Sequence, residues 1–214
     1  MNIAKYIDHT LLKTTATPED IVNHCKDAIN YGFYSVCVNP NYVKLVRDTL
    51  NGTDIKTVSV IGFPFGESKT EIRVKEGVLA VSDGAEELDT VIATSRLVSG
   101  DFKYVYQDLK QIVDACGVPL KVILETSNLN KNQIVDACKI AVDAGVAFVK
   151  TSTGFFGAGA TVEHVKLMRE TVGNSCGVKA AGGIRDYAFA KELIDAGANR
   201  IGASASIAII KGEK

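Results

Sequence analysis

Six glycines, Gly32, Gly84, Gly117, Gly145, Gly177 and Gly197, each stand between an amphipathic stretch and a short apolar run. This recurring joint is the feature that most restricts what the 214-residue chain can become. A glycine just past a helix end accepts the left-handed conformation that closes the helix and releases an extended segment. The phrases SDGAEELD, DAGVAFVK and DAGANRIG repeat the device. Eight candidate strands result, beginning near Tyr6, Tyr34, Thr57, Glu87, Leu120, Val146, Val178 and Asn199. Helical stretches separate them. Thr17-Pro18-Glu19-Asp20 reads as an N-cap, an N1 proline and an acidic first turn. Ser68-Lys69-Thr70-Glu71 reads as a capping box, and the segment 102–116 keeps a 3.6-residue apolar period. Strict alternation implies crossover units and a parallel sheet. Eight such units in a chain of this length predict an α/β fold, a single-domain (β/α)8 TIM barrel over residues 1–214. A doubly wound sheet would carry a GxGxxG turn after the first strand, and the sequence has none.

Composition narrows the function classes. The formal net charge of −1 offers no basic field for a phosphate backbone, which argues against nucleic acid as a partner. No apolar stretch reaches the length of a membrane span, and MNIAKYIDHTLL does not read as a secretory leader. Five cysteines without a CxxC pair argue against a disulfide framework and fit a reducing, cytoplasmic setting. His9, His24 and His164 are scattered singly, with no metal-ligand spacing among them. The expectation is an enzyme without metal or cofactor.

Strand parity then sorts side chains between barrel lumen and helix layer. In LKVILE the apolar Leu120, Val122 and Leu124 suit the helix layer, so Lys121, Ile123 and Glu125 point inward. By the same rule Phe148, Lys150 and Ser152 point inward, as do Lys179, Asp89, Cys37, and Asp8 with Thr10. A purely structural lumen is filled by branched apolar side chains. Three lysines and two aspartates there are too costly to be idle. A lysine losing solvation at the end of a buried strand becomes a better amine nucleophile, and a neighbouring ammonium sharpens the effect. Lys150 and Lys179 lie on consecutive strands, about 4.8 Å apart if paired. Lys150 is therefore read as a Schiff-base nucleophile and Lys179 as its electrostatic partner. A lysine–aspartate network that merely holds the lumen together is the bland alternative.

The loops after strands seven and eight read AGGIRD and GASAS. In barrels these loops commonly bind a substrate phosphate, with backbone N–H groups approaching the anion at glycines. Gly182, Gly183, Gly202 and Ser204 are candidates for that role, with Ser206 a weaker one because it belongs to a terminal helix. Arg185 is either a phosphate ligand or a surface charge.

IDHTLL, SVCVNP, VIGFPFG, ELD, LKVILET, FVKTSTGF, VKAAGGIR and RIGAS together cover nearly the whole chain. Through them the sequence resembles the deoxyribose-phosphate aldolase family. The resemblance implies a metal-independent class I aldolase of deoxynucleoside catabolism. It would cleave 2-deoxy-D-ribose 5-phosphate reversibly to acetaldehyde and D-glyceraldehyde 3-phosphate. It assigns the Schiff base to Lys150, the lowering of its pKa to Lys179, and water-mediated proton transfer to Asp89. Asp8 and Lys121 would complete the polar lumen, Cys37 would line it near a substrate hydroxyl, and Thr151 and Gly154 would contact substrate. It also implies a cytoplasmic homodimer. The chain reads TVIAT after Asp89 where the family usually reads MVIN, so Thr90 and Ala93 predict an altered end to strand four. It ends at IIKGEK, without the C-terminal tyrosine some longer members use, which predicts slower proton exchange at the enamine carbon or a water in that role. The alternatives are another Schiff-base sugar-phosphate aldolase and a catalytically impaired phosphosugar-binding barrel.

Overall fold

The structure is a computed structural model describing residues 1–213. Eight parallel strands close on one another in sequence order: β1 (Ile7–Leu11), β2 (Ser35–Val38), β3 (Lys56–Ile61), β4 (Glu87–Val91), β5 (Leu120–Ile123), β6 (Phe148–Lys150), β7 (Gly177–Ala181) and β8 (Arg200–Ala203). Around them run α1 (Pro18–Tyr31), α2 (Val43–Thr49), α3 (Thr70–Asp83), α4 (Thr94–Val98), α5 (Phe102–Cys116), α6 (Lys131–Asp143), α7 (Val162–Val172), α8 (Tyr187–Asp195) and α9 (Ser206–Lys211). This is the single-domain (β/α)8 barrel that the alternation predicts. Short α4 was not anticipated, and the apolar tail after β8 is helical as α9.

Local chemistry explains most boundaries. At α1, Asp20 N–H donates to Thr17 Oγ1 and Thr17 N–H donates back to the Asp20 carboxylate, a complete capping box. Gly32 closes the helix at φ 66°. The capping box expected at Ser68 does not form: α3 starts at Thr70, so Ser68 lies outside the cap position, and Lys69 caps without its side chain. The Thr70 hydroxyl donates instead to Asp108 Oδ1 at 2.7 Å. Gly177 also departs from expectation. It opens β7, while the positive φ after α7 falls at Gly173. Gly177 is small for another reason: a Cβ there would lie 2.3 Å from the Phe148 ring.

Outward strand residues such as Val36, Val38, Leu88, Val122, Val149 and Ile201 are buried beneath the helices in one continuous apolar layer. Clusters of buried polar side chains interrupt it. His9 on β1 and His24 on α1, far apart in sequence, stack with ring centroids 3.4 Å apart. Burial holds both neutral, lowering His9 to about 2 and His24 to about 4.

A second interruption is Arg73 of α3, fully buried and ion-paired with Asp108 of α5. Its guanidinium donates to the Val91 carbonyl at 2.6 Å and lies 3.5 Å from the Thr90 hydroxyl. The altered end of strand four therefore has a physical partner: Thr90 faces the helix layer and meets a buried cation. Asp108→Ala strands that cation, and breaking one side of a buried pair costs about 3–5 kcal/mol. Denaturant unfolding of Asp108→Ala is expected to show a loss of that size.

Candidate active site

Short strands with inward-facing polar residues place the charges in tiers. Strand register sets Asp89 beside Lys121, Ile123 beside Lys150, and Lys150 beside Lys179. The side chains converge on one carboxylate. Lys150 Nζ donates to Asp89 Oδ2 at 2.7 Å, Lys179 Nζ to the same oxygen at 2.8 Å, and Lys121 Nζ to Oδ1 at 2.8 Å. Lys179 also donates to Asp8 Oδ2 at 2.5 Å. All five side chains are buried, Lys150 being 3% exposed. The β2–β3 side of the lumen is apolar: Leu12, Cys37, Val58 and Val60 pack together with Phe63 beside them.

Above this tier a cavity of about 480 Å³ opens at the C-terminal ends of the strands. Lys150 forms part of its wall, together with Gly154, Gly182, Gly183, Gly202 and Ser204. Gly182 is required by a close approach. A Cβ there would lie 2.9 Å from Gly159 Cα, and the Ala160 N–H donates to its carbonyl. At Gly202 a Cβ would come within 3.0 Å of Lys179 Cε, so the missing side chain makes room for the lysine beneath. On the opposite rim, Glu125 at φ 54° accepts hydrogen bonds from the Thr153 N–H and hydroxyl and so anchors the turn after Lys150.

The electrostatics separate the lysines. Burial, reinforced by the Lys179 ammonium and opposed by Asp89, brings the Lys150 amine below the ordinary lysine value. Burial pulls Lys179 the same way, but Asp8 and Asp89 together outweigh it and raise Lys179. Lys121 is likewise raised, as Asp89, Asp8 and Glu87 overcome desolvation and the Lys179 charge. Asp89 and Asp8 are lowered, because the surrounding cations overcome the opposing effect of burial. Burial pushes the Cys37 thiol up to about 11, so it is a neutral wall residue. Among the lumen lysines, Lys150 alone moves toward the free amine while touching the cavity.

Comparison with known proteins identifies the setting. The family model for DeoC/LacD family aldolases matches residues 2–212. The chain belongs to the DeoC/LacD aldolase family. A deoxyribose-phosphate aldolase of Thermococcus gammatolerans is 52% identical, over 100% of this chain and 97% of that protein. Among solved structures, QR15, an aldolase, superposes with a TM-score of 0.94 at 42% identity, covering 98% of this chain and 94% of that one. The deoxyribose phosphate aldolase from Aeropyrum pernix, described as having a unique tetrameric structure, superposes at 0.90 with 32% identity, covering 98% and 89%. Like its family, this chain is an aldolase, a carbon–carbon lyase.

Within this aldolase barrel the sequence candidates fall into two groups, with Thr151 and Ser206 outside both. Lys150, Lys179, Lys121, Asp89 and Asp8 meet in the lumen, with Cys37 also buried there. Gly154, Gly182, Gly183, Gly202 and Ser204 line the cavity. Thr151 does neither. Its hydroxyl donates to the Ala181 carbonyl and accepts from the Ala181 N–H, joining β6 to β7. Ser206 is buried and bonded to the Ala203 carbonyl, outside the cavity. Arg185 and Lys13 line the cavity as exposed cations, and Lys13 was not singled out by the sequence. Gly202→Ala pushes a methyl against Lys179 and Ala181. Displacing catalytic geometry by a fraction of an ångström is expected to lower kcat about ten- to a hundred-fold. An aldol-cleavage assay beside a thermal melt checks this, with the melt changing little.

Proposed function

We propose that the chain cleaves 2-deoxy-D-ribose 5-phosphate reversibly into acetaldehyde and D-glyceraldehyde 3-phosphate through a Schiff base on Lys150. One observation carries the reading: Lys150, the lumen lysine driven toward the neutral amine, forms part of the wall of the cavity. A neutral amine adds to an aldehyde, and the carbinolamine, taking up one proton as it loses water, gives an iminium ion that draws electrons from the neighbouring bonds. Deprotonation of the substrate's C3 hydroxyl then breaks the C2–C3 bond. The bonding pair moves toward the iminium and leaves an enamine on Lys150, and glyceraldehyde 3-phosphate departs. Protonation of the enamine carbon and hydrolysis release acetaldehyde and restore the amine.

Asp89 suits the proton transfers. Its carboxylate is ionised and 2.7 Å from Lys150 Nζ, in reach of the nitrogen directly or of the substrate oxygen through one water. Lys179, kept charged by Asp8 and Asp89, disfavours an ammonium at Lys150. Gly182, Gly183 and Ser204 at the cavity wall suit a phosphate, with Lys13 and Arg185 supplying positive charge nearby. A homodimer and a cytoplasmic setting belong to the same reading. Exposed Ile72 and Leu79 on α3 with Phe102 on α5 are residues of the kind interfaces cover. Among the described residues no helix is long and apolar enough to cross a membrane.

Borohydride reduction in the presence of acetaldehyde, followed by peptide mapping, tests the mechanism. A single ethyl group on Lys150 is expected, and Lys150→Leu should lose both the adduct and cleavage while keeping its fold. Adducts scattered over surface lysines, or cleavage retained in Lys150→Leu, would remove Lys150 as nucleophile.

A further inference from the structure

We infer that Arg200 and Glu87, one inward position below the reacting tier, are positioning residues whose opposite charges set the charge balance in which Lys150 works. The inference rests on the reading of Lys150 as the imine-forming residue. Glu87 precedes Asp89 by two residues on β4, and Arg200 precedes Gly202 by two on β8, so both lie on the lumen side at its N-terminal end. Neither opens on the cavity and both are 6% exposed.

Their contacts tie them to the groups that hold Lys150. Arg200 Nη1 donates to Asp8 Oδ1 at 2.9 Å, leaving Oδ2 of that carboxylate to Lys179. Glu87 Oε2 lies 2.7 Å from Lys121 Nζ and 3.5 Å from Arg200 Nη1. Both are braced: the Tyr34 hydroxyl donates to Glu87 Oε1, and the Arg200 guanidinium lies 3.4 Å from the centre of the Tyr34 ring. Such fixed geometry makes the pair a permanent part of the lumen electrostatics rather than a solvated surface bridge.

The charges facing Lys150 come from five strands. They are Asp8 on β1, Asp89 and Glu87 on β4, Lys121 on β5, Lys179 on β7 and Arg200 on β8, with the neutral Cys37 thiol on β2. Glu125, at the end of β5, is turned to the Thr153 N–H and hydroxyl, and Lys13 and Arg185 stand on the exposed rim. Inside the lumen four cations then meet three carboxylates. The cluster carries one surplus positive charge while Lys150 is an ammonium and none once Lys150 is an amine. Lys150 is also the most weakly held cation, with one carboxylate oxygen that it shares with Lys179. The proton that restores neutrality on leaving is therefore the one on Lys150. Arg200 supplies the surplus and Glu87 limits it.

Substitution gives effects of opposite sign. Arg200→Met removes the surplus, so Lys150 keeps its proton to higher pH. Glu87→Gln doubles the surplus, so Lys150 releases its proton at lower pH. The readout is the rate of acetaldehyde trapping at Lys150 by borohydride as a function of pH. The acid limb of that profile should move up by about one pH unit in Arg200→Met and down by about one in Glu87→Gln, the order expected for a unit charge nearby in a protein interior. Arg200→Lys, which keeps the charge, should keep the limb in place. The double variant Glu87→Gln/Arg200→Met should return it to the wild-type position, which a merely structural role would not do. Should Arg200→Met fail to fold, Glu87→Gln alone still decides the sign. An unmoved limb, movement of both single variants in one direction, or additive losses in the double variant would overturn the inference. Absence of any adduct at Lys150 in the unmodified protein is a different result: it rejects the proposed function, and the inference falls with it.

Discussion

One carboxylate organises this barrel. Asp89 receives Lys150, Lys179 and Lys121 on its two oxygens, deep in a buried lumen. An isolated buried ammonium is expensive, and three together are tolerable only if carboxylates share them and at least one lysine can shed its proton. Asp8 and Glu87 take up Lys179 and Lys121, and what remains for Lys150 is a shared oxygen. The same arrangement that makes the lumen affordable thus singles out the lysine that faces the cavity. Stability and reactivity are one electrostatic problem here.

The fold serves that problem by geometry. Parallel strands in register bring residues distant in sequence to one level, as with Asp89 and Lys121, or Lys150 and Lys179. Small residues then allow long lysine side chains to cross the lumen: Gly202 leaves the space that Lys179 occupies. Behind β4, the buried Arg73–Asp108 pair holds the carbonyl of Val91 and faces Thr90, fixing from outside the strand that carries Asp89 inside. Glu125 does the equivalent for the turn after Lys150 through Thr153.

The barrel was legible because its signals are local and repeated: glycine joints, apolar periods, and the alternation of strand faces. Parity alone placed Lys121, Lys150, Lys179, Asp89 and Asp8 in the lumen. It also contained Glu87, which shares the face of Asp89 in EELD, and Arg200, which shares that of Gly202 in RIGA, yet neither carried a motif that drew attention. Where the sequence misled, tertiary structure had overridden a local pattern. Ser68 was out of step with a helix whose start is fixed by Thr70 meeting Asp108, and Gly177 was needed for the Phe148 ring rather than for a helix end. Thr151 follows Lys150 directly, and that its hydroxyl bridges two strands is visible only in the packed barrel. Arg73 belongs to a residue type seldom fully buried without a partner, and its partner sits on a helix thirty-five residues away. His9 and His24 likewise meet only in space.

The central claim is that this lumen holds one reactive amine among permanently charged neighbours. NMR titration of the resting protein with lysine labelled at the ε position tests it most directly, using Lys150→Leu to assign the resonance. The account predicts one buried lysine, absent from the variant, that loses its proton below the ordinary value of 10.5, while Lys121 and Lys179 stay protonated beyond it. A Lys150 that remains an ammonium through that value, or a Lys179 that titrates before it, would contradict the account.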